Sequence, residues 1–229
     1  MSQKPWTSGP KELLKHGLDH LELDNDFDNR IAMISIDNSV ELMMKTYLGL
    51  PKRINKIEDI TRKIYEEATK NFPSLIDAIE KYANDKLLGI ELGEIEWFHR
   101  LRNQLYHDGN GITVEKEKVI SYSSIAKILF ENLFDEKIDL IGKTYKIDSF
   151  LLLWADFNKL VIKEGPKIYR LRNFQELFSL SSDDSKKLNE IINFRNILVH
   201  KPYEISQEEL QEKVEMLKLI IAKIKSNKH

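Results

Sequence analysis

Two stretches of the chain carry residue types that could move protons and hold phosphate: Arg102-Asn103-Gln104-Leu105-Tyr106-His107 and Arg195-Asn196-Ile197-Leu198-Val199-His200. Both read Arg-Asn-x-x-x-His. An imidazole gives or takes a proton near neutrality, and a guanidinium matches the oxygens of a phosphate. Cleaving RNA needs a base for the ribose 2′-hydroxyl, an acid for the leaving 5′-oxygen and a cation for the charged phosphorus centre. Two His and an Arg fill those roles without a metal. The candidate catalytic residues are therefore Arg102, His107, Arg195 and His200, with Asn103 and Asn196 as substrate-binding groups that orient an imidazole or hold the phosphate. A single Arg-His pair at a helix end more often serves as a cap or a surface ion pair; it is the repetition that favours a site. The other Arg-Asn pair, Arg172-Asn173, has no His five places after its Arg.

On a helix the Asn and His of each copy share a face, while the Arg lies about 140° from the His, so one helix alone converges them poorly. Two copies facing each other across a cleft would do better. Counting from the Arg, positions minus seven, minus four, minus one and plus three are Ile95, Phe98, Leu101 and Leu105 in one copy and Leu188, Ile191, Phe194 and Leu198 in the other. Each set spans about 120° of a helix and must face a core. Both motif helices are expected to stop after the His, at Asp108-Gly109-Asn110-Gly111 and at Lys201-Pro202, and both precede a charged helix. The chain therefore reads as two diverged copies of one helical unit.

Scarce glycine and proline, and apolar residues at three and four spacing, make helices the default elsewhere. The expected elements run from Pro10 to about Leu23, from Asp24–Asp28 to Tyr47, from Lys56 to Asn71, from Pro73 onward, from Glu94 to His107, from a Thr113 cap to Asp135, from Asp148 to Lys163, from a Ser181 cap to His200, and from a Ser206–Glu209 capping box to Ile224. In the second of these Ile31, Ile34, Val40, Met43, Met44 and Tyr47 form the inward face. The segment Phe134 to Thr144 is the expected boundary between domains 10–135 and 145–229.

Net charge near zero gives no global basic field for nucleic acid, so any RNA contact must be local. The absence of cysteine excludes a disulfide framework, a thiolate zinc site and a Cys nucleophile, and fits a reducing cytoplasm. No export signal and no membrane span is expected, because the longest apolar runs fall far short of roughly 20 residues. No cofactor and no metal is expected. His16 and His20, with Glu12 and Asp19 nearby, have a spacing that could hold a metal, but a surface helix is the stronger reading. His99 and Arg100 could touch phosphate or form a solvated face. Trp97, Trp154 and the scattered Tyr and Phe residues read as core rather than base-stacking platforms.

At the two hexapeptides the chain resembles the HEPN superfamily, all-helical domains whose RNase members carry Arg, usually a polar residue, and then His four to six places after the Arg. The stretch ISIDNSVELMMKTYL from Ile34 is similar to that family's early long helix. The resemblance covers most of residues 24–135 and, more weakly, 148–224. It implies an all-α fold of two antiparallel helical-bundle units, and a metal-independent endoribonuclease in a bacterial defence or toxin role. It assigns Arg102, Asn103 and His107 to one half-site and Arg195, Asn196 and His200 to the other, joined in a homodimer or an intramolecular pseudo-dimer. An antitoxin or defence-system protein is an implied partner. Many members instead act as non-catalytic modules that bind a nucleotide, RNA or protein, and that is the alternative reading. A Tyr two places after the His, which one toxin subgroup carries, is Gly109 or Pro202 here.

Overall fold

Side-chain caps at Asn25, Thr61, Asn71, Ser181 and Ser206 set helix starts in a computed structural model of the chain, which describes residues 4–107, 113–138, 146–162 and 178–227. Ten α-helices and no strand occur among the described residues, so the fold is all-α as expected. The first seven are α1 (Ser8–Glu22), α2 (Asp26–Gly49), α3 (Lys52–Asn55), α4 (Arg62–Ala68), α5 (Phe72–Ala83), α6 (Leu92–His107) and α7 (Lys116–Phe134). The last three are α8 (Lys146–Ile162), α9 (Ser182–His200) and α10 (Gln207–Ser226). None of these helices is long and apolar enough to cross a membrane. The chain divides into two units, residues 1–143 and 144–229.

In the first unit α2 is the central element, packed by α1, α5, α6 and α7. Asn25 caps it, its side chain accepting from the Asp28 amide. Neighbours on several sides change which residues face inward. Ile31 and Ile34 are only half-buried, whereas Ala32, Met33, Ile36, Val40, Met43 and Met44 are fully enclosed. The enclosed set also includes Ser35, Asp37 and Ser39, polar residues that a one-sided amphipathic helix would send to solvent. α1 lies close against it at Gly17, where an added Cβ would fall 2.8 Å from Ile36 Cγ1 and 3.1 Å from the Ala32 carbonyl oxygen.

The expected helix from Lys56 to Asn71 shortens to α4, and the short α3 precedes it. Asn55 accounts for the break. Its amide nitrogen donates to the carbonyls of Tyr47 and Leu50, and its oxygen accepts from the Ile57 amide. These bonds fasten the segment to the end of α2 in competition with helix continuation. Lys56 then turns left-handed, at φ 61°, and Thr61 caps α4. Thr113 is likewise not the cap of the next helix: Val114 is buried ahead of it and Glu115 takes the cap position.

In the second unit α10 packs on α8 and on α9, and Phe150 of α8 meets Phe194 of α9 edge to face at 5.2 Å. Of the residues whose helical spacing predicts an inner face for α8, Phe150, Leu151, Trp154, Phe157 and Val161 are buried and Leu160 is half-buried. Ser181 and Asp184 form a reciprocal capping box at the start of α9. At α10 the Ser206 hydroxyl accepts from the Glu209 amide. The stop signal at Asp108 to Gly111 and residues 163–177 lie outside the described residues.

Candidate functional site

The two motif helices share a frame. α6 runs to His107 and α9 to His200, and of the eight expected stripe residues all but Leu101 are buried. Around that frame the motif side chains diverge.

In the first copy Arg102 reaches across to α2. Its Nη2 donates to Asn38 Oδ1 at 2.7 Å and its Nη1 to Asn103 Oδ1 at 2.8 Å. Arg offers no acceptor, so both amides must present oxygen to it. Its Nε lies 3.5 Å from Asp37 Oδ2, an ion pair without a hydrogen bond. Asp37 is completely buried and gathers two further donors. The Tyr122 hydroxyl of α7 donates to Oδ1 at 2.7 Å, and His99 Nδ1 lies 2.9 Å from Oδ2. A carboxylate taken out of water costs several kcal/mol unless charge and hydrogen bonds replace its hydration, so this arrangement is what allows Asp37 to be there. Burial, and then the Asp37 charge, push the Tyr122 hydroxyl well above its usual range, which keeps it a donor.

His99 is thus committed inward rather than to a phosphate. Its ring stacks on Phe72 with centroids 3.6 Å apart and planes parallel within 1°. It is eight residues from His107, about 12 Å along the helix axis, which is too far for both rings to serve one phosphorus atom. Asn103 is turned to Arg102, so its oxygen is engaged there rather than at the His107 ring.

Beyond Arg102 the site opens to solvent. The guanidinium carbon sits 5.3 Å from the Tyr106 ring centroid, and the His107 ring meets Tyr106 edge-on at 5.2 Å. Tyr106 is 61% exposed, which corrects its reading as a core residue, and His107 is exposed as well. The sequence of contacts runs from a buried carboxylate through a half-buried guanidinium and an exposed phenol ring to an exposed imidazole. Two bonds are made by the terminal nitrogens of Arg102, which leaves one N–H on each to donate to a phosphate oxygen.

In the second copy Arg195 is only 1% exposed and is the largest fully buried side chain in the molecule's described residues. Asn196 and Ile197 face solvent, and His200 is half-buried. The same spelling therefore gives an Arg at the edge of one unit and an Arg inside the core of the other.

Asp37, Asn38 and Tyr122 were not among the expected site residues. A signal for Asp37 does stand in the sequence: it lies four places after Met33 and three before Val40, a carboxylate on an apolar stripe. At the other end of α1, His20 Nδ1 lies 2.6 Å from Asp28 Oδ1, and the His16 ring meets His20 edge-on. The His20 hydrogen bond, with a second from Asn25, holds the Asp28 carboxyl below its usual range. Among the described residues no group of three or more His, Asp or Glu is placed to hold a metal ion. No family model, no curated protein and no solved structure matches the chain, so this site is read from its own geometry.

Proposed function

We propose that the protein is a metal-independent endoribonuclease of the HEPN type, in a bacterial defence or toxin role, with its phosphate held at Arg102. The observation that carries this reading is the half-buried guanidinium fixed by Asp37, Asn38 and Asn103 beside the exposed His107 end of α6. A fixed cation stabilises charge that develops on a phosphorus centre more than a mobile one does, because it need not reorganise during the reaction. His107 is one proton-transfer group. His200 is the other candidate imidazole. Arg195, enclosed in its own unit, is not the phosphate ligand. Exposed Tyr106 offers an unpaired base a ring to stack on, which favours single-stranded RNA over duplex.

Purified protein incubated with total RNA in EDTA tests this. Wild type is expected to cleave, and His107→Ala to lose at least about a hundredfold in rate. His200→Ala is expected to lose a similar factor. RNA left intact by wild type, or cut equally well by His107→Ala, would sink the reading. Loss from His107→Ala alone would remove His200 from the site.

A further inference from the structure

Three oxygens surround the Arg102 guanidinium: Asp37 Oδ2 on the Nε side, Asn38 Oδ1 at Nη2 and Asn103 Oδ1 at Nη1. They come from two helices and are separate from the stem that ties Arg102 to α6. Asp37 is held independently of Arg102, by the Tyr122 hydroxyl and by His99, whose ring is in turn fixed against Phe72. Tyr122 itself is fully buried and stacked on Phe98 with centroids 4.4 Å apart. Asp37 therefore has a position that does not depend on the arginine being present.

We propose that Asp37, Asn38 and Asn103 form a guanidinium cradle built on the independently fixed Asp37 carboxylate, with Asp37 as the positioning residue that aims Arg102 at the phosphate. The inference rests on Arg102 being the phosphate cation. Asp37 touches no substrate; it acts through Arg102. Its buried charge favours a cation beside it, and the two amide oxygens select a planar, forked cation over a round ammonium. This explains why a carboxylate stands on the innermost face of α2, where an apolar residue would pack as well.

A cradle that survives loss of the arginine stem should accept a free guanidinium. The test uses the full chain carrying Arg102→Ala, with ethylguanidinium as the probe and ethylammonium at equal concentration as the control. Ethylguanidinium is expected to raise the melting temperature of Arg102→Ala above the ethylammonium value, by mass action on the folded state. It should not do so for wild type, whose cradle is filled. Nor should it do so for Arg102→Ala combined with Asp37→Asn. The same probe is expected to restore RNA cleavage to Arg102→Ala at least tenfold, through kcat rather than through the KM for RNA.

Equal effects of the two cations, or the same effect on wild type, would overturn the cradle. So would binding without rescue in a protein whose wild type cleaves. If wild type does not cleave but the selective melting shift appears, the cradle stands and the ribonuclease reading falls. Should removal of Arg102 prevent folding, Asn38→Ala in the wild-type background decides instead, because it leaves the Asp37 ion pairs intact. A tenfold lower kcat per folded molecule supports the cradle, and an unchanged kcat overturns it.

Discussion

Arg102 and Arg195 hold the same place in their hexapeptides, five residues before a helix ends and beside the same apolar stripe. Arg102 is nevertheless half-buried, whereas Arg195 is only 1% exposed. The difference lies in what surrounds each helix. α6 packs against α2, which presents Asp37 and Asn38 at the level of Arg102. α9 instead packs against α10 and buries Arg195 together with Phe194, Leu198 and Val199. One environment fixes a cation at the edge of a unit and leaves part of it to solvent; the other encloses it. Residue type and spacing specify which groups a helix carries, and the neighbouring helix decides whether solvent, and hence a substrate, can reach them.

Removing the two arginines in turn should break that comparison open. Arg195→Ala is expected to destabilise the second unit by about 3 kcal/mol, as removal of a fully buried charged side chain does. Arg102→Ala should cost less, because its guanidinium is partly solvated and Tyr122 and His99 still bond to Asp37. Urea denaturation followed at equilibrium would check both, and equal losses would contradict the difference in burial.

A smaller effect separates the motif helices by pH. Hydrogen bonds from Lys223, and then from Ser181, hold the Asp184 carboxyl below its usual range. A lowered folded value means this stabilisation is complete above the unfolded pKa of about 3.9, and is lost as pH falls through the folded value. Melting curves of wild type and Asp184→Asn should therefore differ at neutral pH, begin to converge below about pH 4 and meet once pH has fallen through the lowered folded value. A gap that persists in acid would assign the role of Asp184 to packing. Ser181→Ala is expected to cost about 1 kcal/mol through the lost cap.

The asparagines give the finest contrast. Asn103→Ala removes an acceptor from Arg102 and should cost about 1 kcal/mol. Asn196 is exposed, and Asn196→Ala should stay within about 0.5 kcal/mol of wild type. Denaturant midpoints would show it, and a reversed order would place the structural asparagine in the wrong copy.

Much of the fold is legible in the sequence because it is local. Ser181 with Asp184, and Ser206 with Glu209, mark helix starts that the backbone obeys, and the apolar spacing around each motif marks the buried stripe. The Lys56 to Asn71 segment is misread because Asn55 bonds backward to the end of α2, a tertiary contact that overrides helical spacing. The candidate site is half legible for the same reason. Arg102 and His107 are visible as a motif, but Asp37 lies 62 residues before its His99 partner and 85 before Tyr122. No periodicity connects them. The burial of Arg195 is equally a property of the helices around it.

The most direct test compares the initial rate of cleavage of one single-stranded RNA by Arg102→Ala and Arg195→Ala, each divided by its folded fraction at the assay temperature. Arg102→Ala is predicted to be folded and at least about a hundredfold slower than wild type. Arg195→Ala is predicted to be less stable but to keep the wild-type rate per folded molecule. A folded Arg102→Ala that cleaves at the wild-type rate would contradict the assignment of the phosphate site to the first motif.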